Sequence, residues 1–217
     1  RGISSLVALN DHQFLVLERN NRGIGVGATL ASPDKRVYQI DLNGATDVTG
    51  ISLPSTGWAG TPVSKSGVLI DLDADTLAAL GNLSPEKWEG LVIGPKLADG
   101  SFAIVAGTDN DYSVTQNGSN VQFDVYYNFA SASATSIPSI ECPLGQTTGC
   151  VIAGTTTAAS ITADYQLLPG VLHSYKTAVG DLAGYIAPVP EADSYAMFLA
   201  GLGLVGMVAA RRKPRPV

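Results

Sequence analysis

The stretch "GISSLVALNDHQFLVLERNN", residues 2–21, has the pattern of a β-hairpin. Two apolar runs, "SLVAL" and "FLVLER", stand on either side of the polar segment "NDHQ". Apolar runs of this length separated by Asn and Asp are typical of strands joined by a turn. The stretch therefore predicts two antiparallel strands at the start of the chain.

A second stretch, "EGLVIGPKLADGSFAIVAGTDND" at 89–111, repeats this order of glycine, strand, Asp-containing turn, strand and polar cluster. Gly2 then matches Gly90 and Asn20 matches Asn110, at separations of 88 and 90 residues. A propeller blade has about 40–45 residues, so the spacing indicates two hairpins that are two blades apart. The alternative is that two unrelated hairpins share a common pattern.

The composition favours an all-β protein. Of the 217 residues, 45% are hydrophobic and 15% are charged, and 24 residues are glycines, which suits strands and tight turns. Strand patterns recur at 36–42, 67–72 and 121–129, and the last strands of the folded body fall within 159–179. Residues 131–160 are rich in Ser, Thr, Ala and Gly and predict a surface insertion.

The charge is distributed unevenly along the chain. The net charge is −6, and the tail beyond residue 189 has four basic and two acidic residues, so the body before it carries −8. Nucleic-acid binding needs Lys and Arg to neutralise phosphates, so this acidic body argues against nucleic acid as a partner. The same body is compatible with divalent cations.

Several catalytic classes lack their motifs in this sequence. No Gly-x-Ser-x-Gly elbow is present, which argues against a serine hydrolase. The Gly-rich residues 23–28 lead into "TLASPDK", whereas a dinucleotide site needs a helix at that point. His12 lies in the predicted turn and His173 in a strand pattern, which predicts a solvated and a structural histidine rather than catalytic bases.

The two cysteines, Cys142 and Cys150, stand in "ECPLGQTTGC" with seven residues between them. In an oxidising compartment this spacing predicts a disulfide that closes a small loop. Free thiols are the alternative in a reducing compartment. A metal site would need further ligands, and no His lies nearby.

Four motifs in order, "GISSLVALNDHQFLVLERNN", "KRVYQIDL", "KWEGLVIGP" and "GTDNDYS", resemble the esterase-like domain associated with phytases. The resemblance covers residues 1–129 and continues to "LLPGVLHSYKTA". It implies a propeller-like fold over 1–186, with the insertion at 131–160, and phosphodiesterase or phosphatase-type hydrolysis. It also implies that earlier blades precede Arg1, which agrees with a chain that does not start with Met.

The resemblance implies a set of site residues, since loops at the strand ends of a propeller converge near its central channel. The implied catalytic acids are Glu18, Glu89 and Asp109, the implied substrate-binding residues are Asn20 and Asn110, and the implied metal ligands are Asp109 and Asp111. Carboxylate and amide oxygens suit Ca²⁺, and a bound cation polarises a phosphoryl oxygen and activates water.

Each of these residues also has a structural interpretation. Glu18 could pair with Arg19 or Arg22, and Glu89 could cap a turn through the neighbouring Gly90 amide. The polar residues at 109–111 are ordinary turn residues that bond to their own backbone.

The C-terminal tail predicts a membrane segment. Residues 195–210 form an apolar run of 16 residues, which as a helix spans about 24 Å against a hydrocarbon core of about 30 Å. Arg211, Arg212 and Lys213 follow at once, and the positive-inside rule then puts the C-terminus in the cytoplasm. A soluble core helix is disfavoured because the run has no polar face. The overall prediction is a partial β-propeller-like all-β domain followed by a single transmembrane helix.

The same tail resembles a PEP-CTERM sorting signal, with Pro190 and Glu191 followed by Ala192 in place of the second Pro. The resemblance implies residues 187–194 as a linker with the sorting motif and 195–217 as a transmembrane helix with a basic tail. It further implies export, processing by an exosortase, and a mature body in the cell envelope or extracellular matrix. That location favours the disulfide.

Two functions of different classes fit these features. The first is a metal-assisted hydrolase of phosphoric esters in the cell envelope. The second is a non-catalytic surface protein that binds exopolysaccharide or other matrix polymer. A weaker third idea is that the acids hold structural Ca²⁺.

Overall fold

The computed structural model describes residues 1–26, 29–76, 83–133, 135–182, 184–186, 197–202 and 204–205. The chain forms two compact units, residues 1–185 and residues 186–217.

The described part of the first unit is built mainly of antiparallel strands, which confirms the predicted all-β character. The strands are β1 (Gly2–Ala8), β2 (Gln13–Arg19), β3 (Lys35–Asp41), β4 (Ser64–Asp71), β5 (Trp88–Lys96), β6 (Phe102–Thr108), β7 (Val114–Gln116), β8 (Gln122–Tyr127), β9 (Ser139–Pro143), β10 (Val151–Ile152), β11 (Gln166–Leu167) and β12 (Leu172–Thr177). One short helix, α1 (Leu72–Thr76), follows β4.

The first sheet is a four-stranded meander in the order β1-β2-β3-β4. The predicted hairpin at residues 2–21 is confirmed: Gly2 pairs with Arg19 and Ala8 pairs with Phe14. Its turn forms because the Asn10 side-chain oxygen accepts hydrogen bonds from the amides of His12 and Gln13, at 3.1 and 3.0 Å. A short polar side chain thus replaces the missing backbone partners, as in an Asx-turn.

The second sheet has three strands in the order β12-β6-β5. Its central hairpin, β5–β6, is the second stretch predicted from the sequence. Strand β12 pairs with β6 from Leu172, opposite Gly107, to Thr177, opposite Phe102. The chain between β6 and β12 therefore leaves this sheet and returns to it.

Residues between β6 and β12 form a third sheet, in the order β10-β9-β8-β11, with β7 paired to β8. The predicted insertion at 131–160 contains only β9 and β10 of these strands. The segment that leaves the second sheet is therefore longer than the predicted insertion. It includes β8, the strand predicted at 121–129, because β8 pairs with β7, β9 and β11 and not with the two hairpin sheets. Cys142 and Cys150 form a disulfide at the buried side of this sheet.

The main hydrophobic core contains buried side chains from both the first and the second sheet. Leu15 and Leu17 of β2 and Trp88 of β5 are completely buried in it. The Ser4 hydroxyl of β1 donates to the Trp88 carbonyl oxygen at 2.9 Å, which ties the two sheets together. The end of β2 and the start of β5 are therefore neighbours in the folded unit.

The propeller and the membrane helix stay predictions. No sheet formed by the described residues is closed, and the ring of blades of a propeller is not seen in them. In the second unit, residues 197–202 and 204–205 are helical. Across the described residues, no helix combines the length and apolar character that membrane crossing requires. The sorting residues Pro190, Glu191, Arg211, Arg212 and Lys213 lie outside the described residues.

Candidate functional site

The polar cluster after β6 folds into a tight turn at residues 109–113, here named the acidic turn. Asp111, Tyr112 and Ser113 all have left-handed backbone, with φ of 49°, 54° and 58°. The amide of Asp111 donates to Asp109 Oδ1 at 2.9 Å, and the amide of Tyr112 donates to Asn110 Oδ1 at 3.1 Å. Left-handed backbone is unfavourable for residues with a Cβ, so three in succession must be held by surrounding contacts.

Contacts on two sides hold the acidic turn. On one side, the Asp109 amide donates to the Lys87 carbonyl oxygen at 2.9 Å. On the other side, Asn110 Nδ2 donates to the Leu168 carbonyl oxygen at 2.8 Å, and the buried Ser113 hydroxyl accepts from the Leu168 amide at 2.9 Å. The turn therefore joins the start of β5 to the third sheet.

Lys87 and Asp111 form an ion pair, with Nζ 2.5 Å from Oδ1. The hydrogen bond to Asp111 raises the pKa of Lys87 and outweighs the opposing effect of burial. Lys87 is therefore protonated at neutral pH and neutralises one carboxylate of the turn.

A second group of charges, here named the ionic cluster, lies at the end of β2 and the starts of β3 and β5. Arg19 contacts Glu89 at 2.5 Å and Glu86 at 3.7 Å. Lys35, completely buried, lies 3.7 Å from Asp73 and donates to the Arg22 carbonyl oxygen. Burial lowers the pKa of Lys35, while the carboxylates of Asp73 and Glu86 oppose that change. The register of β2 and β3 sets Arg19 directly opposite Lys35.

The Gly-rich loop after β2 packs directly against this cluster. The Ile24 amide donates to the Ser84 carbonyl oxygen and the Glu86 amide donates to the Ile24 carbonyl oxygen, both at 2.7 Å. A Cβ atom on Gly25 would lie 2.3 Å from Glu86 Oε2. Glycine is therefore required at position 25 for the loop to approach Glu86 so closely.

Two cavities meet at Asp109. One, here named the inner cavity, has a volume of about 170 Å³ and a mainly apolar lining. The other, here named the outer groove, is an open groove of about 550 Å³ that also borders Asp111 and Tyr112. Tyr112 is 87% exposed. The acidic turn is thus a wall shared by an apolar pocket and an open polar groove.

The structure brings some of the predicted site residues together and separates others. Asp109, Asn110 and Asp111 share the acidic turn, and Glu89 belongs to the ionic cluster beside it. Glu18 points to the opposite face of β2 from Arg19, because neighbouring residues of a strand alternate in direction. There it lies 3.0 Å from Lys65 and 4.0 Å from Arg1, so its partners are not Arg19 or Arg22.

Asn20, the second predicted substrate-binding residue, is engaged in a loop contact. Its Nδ2 donates to the Ser32 carbonyl oxygen at 2.9 Å, and its Oδ1 accepts from the Asp34 amide at 3.1 Å. Its side chain thus fixes the loop between β2 and β3.

Comparison with known families identifies the first half of the chain. A family model named phytase-like, with the description "Esterase-like activity of phytase", matches residues 1–112, just over half of the 217 residues. The chain belongs to this phytase-like family. The match spans β1 to β6 and ends within the acidic turn, at Tyr112. The third sheet lies beyond the matched residues.

A second family model, the PEP-CTERM protein-sorting motif, matches residues 188–213. This motif marks an exported, membrane-associated protein of the cell envelope that an exosortase processes. No curated protein and no solved structure matches the chain.

In the described part of the chain, the side chains are not arranged to bind a divalent cation. No group of three or more His, Cys, Asp or Glu residues in that part could hold a metal ion. Within the acidic turn, the ammonium group of Lys87 lies against Asp111, and Asp109 accepts a backbone amide. Ca²⁺ therefore stays a prediction from the sequence.

Sequence reasoning missed five charged residues of this region: Arg19, Lys35, Asp73, Glu86 and Lys87. Arg19 ends β2, Lys35 begins β3, Asp73 lies in α1 just after β4, and Glu86 and Lys87 precede β5. Only the register and packing of the strands bring these positions together. Asp73 is held at the start of α1, where the Asp71 carboxylate accepts from the Ala74 amide at 3.1 Å as a helix cap. The signal in the sequence was the presence of charged residues at successive strand ends.

Proposed function

We propose that the phytase-like domain of this exported protein hydrolyses phosphoric esters at the acidic turn, with Asp109 as general base. The family description, esterase-like activity of phytase, supports ester hydrolysis. The observation that carries the proposal is the carboxylate of Asp109, held on a strained turn between the inner cavity and the outer groove. Backbone strain of this kind is concentrated at functional sites.

The proposed reaction uses residues of the turn and its neighbours. Water attacks phosphorus while the Asp109 carboxylate takes one of its protons. The bond between phosphorus and the ester oxygen breaks, and the departing alkoxide takes a proton from solvent to leave as the alcohol. The ammonium group of Lys87 stabilises negative charge that develops on the phosphoryl oxygens. Glu89 holds Arg19 in position, and no step is assigned to a cation.

The full chain should hydrolyse bis-p-nitrophenyl phosphate or phenyl phosphate, measured by the release of p-nitrophenol or of inorganic phosphate. Asp109→Asn keeps an oxygen for the Asp111 amide but removes the base, so we expect kcat to fall by about a hundredfold or more. Asp99→Asn is the matched control, because Asp99 lies in the turn at the other end of the β5–β6 hairpin and pairs with Lys176. Absence of turnover with both substrates contradicts the proposal.

Two further comparisons address the predicted residues. Glu89→Gln removes a charge on β5 beside Arg19, and Glu18→Gln removes the same charge on the face of β2 that Lys65 covers. A site at the acidic turn therefore requires a larger loss of kcat/KM for Glu89→Gln. For Ca²⁺, turnover is measured after treatment with a chelator and again after Ca²⁺ is restored. Unchanged turnover under both conditions contradicts the predicted cation.

A non-catalytic matrix-binding protein is the second candidate. It is favoured by the pairing of predicted acids with cations: Glu18 with Lys65, Glu89 with Arg19, and Asp111 with Lys87. Such a protein would be retained on insoluble polysaccharide beads and would release no alcohol from any phosphoric ester. Equal retention of native protein and Asp109→Asn, without turnover, would favour this candidate over the hydrolase.

We also infer that residues 195–210 cross the membrane once, with the C-terminus in the cytoplasm, and that an exosortase cleaves near residues 190–192. The apolar run and the basic residues after it support this topology. Replacement of Arg211, Arg212 and Lys213 by Gln should leave the precursor mislocalised. Lys176→Gln, an exposed change elsewhere, is the control. Normal sorting of the triple variant contradicts the inference.

Finally, we propose that the first sheet is one blade of a β-propeller. Four antiparallel strands in sequence order support this, since a propeller blade has the same arrangement. An experimental structure in which the first sheet is not part of a ring of such sheets would contradict it.

A further inference from the structure

The inner cavity has the size of a single aromatic ring. Its volume is about 170 Å³. An enclosed apolar cavity of about 150 Å³ binds benzene, and the inner cavity has a similar volume although it is about half open to solvent. Seven of the described lining residues are apolar: Ile24, Leu83, Pro85, Phe129, Leu168, Pro169 and Val171. The cavity therefore matches a benzene-sized apolar group in both volume and chemistry.

The polar lining of the inner cavity offers few free hydrogen-bonding atoms. Thr108 Oγ1 accepts from the Val171 amide at 2.8 Å, and Asp109 Oδ1 accepts from the Asp111 amide. The third polar lining residue, Gln166, is exposed. Because the lining is mainly apolar, it favours an apolar group of the ligand over a polar one.

The charges around the cavity disfavour a polyanionic ligand. The ionic cluster and the acidic turn together hold five carboxylates, from Asp73, Glu86, Glu89, Asp109 and Asp111, against the cations of Arg19, Lys35 and Lys87. All three cations already contact carboxylates. A ligand with many negative charges, such as phytate, would be repelled by the excess of acid, while an uncharged group would not.

We propose that the inner cavity binds an uncharged, benzene-sized apolar group, and that this is the aryl group of the ester whose phosphoryl centre lies at Asp109. The substrate role rests on the proposed function, whereas binding of the aryl group does not. Asp109 suits this role because it lines both the inner cavity and the outer groove. The apolar group occupies the cavity and the remainder of the ester lies in the groove.

Binding can be measured without any reaction. The probe is 4-fluorobenzyl alcohol, which is neutral, titrated into the full chain and followed by ¹⁹F NMR. Gln166→Trp adds an indole ring at the lining from an exposed strand, and Ile24→Phe adds bulk at a second lining residue on a different segment of the chain. We expect either variant to weaken binding about tenfold or more, because a filled cavity has no room for the probe.

Gln146→Trp is the matched control, because Gln146 is exposed and lines neither cavity. It should bind the probe as the native chain does. Failure of the native chain to bind, or equal binding by the native chain and both filled variants, overturns the inference.

A kinetic comparison separates this inference from the proposed hydrolysis. Benzyl phosphate and ethyl phosphate both release an alcohol and inorganic phosphate, but only benzyl phosphate carries a phenyl ring. We expect kcat/KM to be about tenfold higher for benzyl phosphate in the native chain but not in Gln166→Trp. Turnover without a phenyl preference overturns the inference and leaves the hydrolase proposal standing. A third outcome is that the native chain binds the probe, the filled variants do not, and neither ester is hydrolysed. This outcome supports the aryl site and contradicts the hydrolase proposal.

Discussion

Glu18 and Arg19 are neighbours on β2, yet they belong to two different electrostatic regions. Glu18, whose side chain is 15% exposed, lies on the outer face of the first sheet with Lys65, whose side chain is 41% exposed. Arg19 lies in the ionic cluster with Glu86, whose side chain is only 8% exposed, and opposite the fully buried Lys35. Glu89, the nearer partner of Arg19, is 36% exposed, so the two regions differ in depth chiefly at the pair of Lys35 and Asp73, where Lys35 is fully buried.

The difference in depth decides what each pair contributes. An exposed ion pair is worth about 0–1 kcal/mol because water solvates both partners. Removal of one partner from a buried pair leaves an uncompensated charge and costs about 3–5 kcal/mol. On the outer face, Lys65 also stacks on Tyr38, 4.3 Å from the ring centroid, and remains open to solvent. Mutations in the ionic cluster should therefore lower the free energy of unfolding more than mutations on the outer face. The ionic cluster also lies beside the acidic turn.

The largest expected effect comes from Asp73→Asn. This change leaves the ammonium group of Lys35 buried without its carboxylate partner, so we expect the free energy of unfolding to fall by about 3 kcal/mol. Glu18→Gln is the counterpart on the outer face and should cost less than about 1 kcal/mol. Urea unfolding of both variants measures the contrast. Equal losses would remove the distinction between the two regions.

Gly25→Ala should have the next largest effect. The new Cβ would lie 2.3 Å from Glu86 Oε2 and 2.8 Å from Glu86 Cβ, so the loop must shift, at about 1–3 kcal/mol. Gly67→Ala is the control on β4, where nothing lies within 4 Å of the added atom. Thermal unfolding should show a lowered midpoint for the first variant and an unchanged or raised midpoint for the second.

Lys87→Met tests a pair of intermediate exposure. Its side chain is 26% exposed and that of Asp111 is 32% exposed. Loss of the ammonium group frees the Asp111 carboxylate, so Ca²⁺ measured by calorimetry should bind about tenfold more tightly, which is about 1.4 kcal/mol. Lys176→Met, which frees Asp99 on an exposed turn, is the control. Undetectable Ca²⁺ binding in both native protein and Lys87→Met would contradict the predicted metal site.

The smallest effect concerns pH. The pKa of Lys35 in the folded protein is lowered from 10.5 by burial. Between the lowered value and 10.5 the unfolded chain binds more protons, so the free energy of unfolding should rise as pH rises through that window. Urea unfolding at a series of alkaline pH values measures the rise. Lys35→Met should abolish it and Lys65→Met should preserve it; a rise that persists in Lys35→Met would assign it to another group.

Much of the secondary structure could be predicted because it depends on local pattern. The hairpin at residues 2–21 needs only alternating apolar runs and an Asn at the turn, and the structure has both strands there. The clustering of Asp109, Asn110 and Asp111 also follows from their adjacency in the chain. Pattern alone did not assign the strand at 121–129 to a sheet, because a strand has two edges and its partners are chosen by packing.

The sequence by itself determined the β character of the body, the two hairpins, the family and the sorting tail. Each of these depends on residues that are close together in the sequence. Only the tertiary structure decided which charges meet. Arg19 and Glu89 are 70 positions apart, and Lys35 and Asp73 are 38 positions apart. Their contacts depend on the register of β2 with β3 and on the packing of the two hairpin sheets. A shift of one residue in that register would turn Arg19 outward and Glu18 inward, because strand side chains alternate between faces.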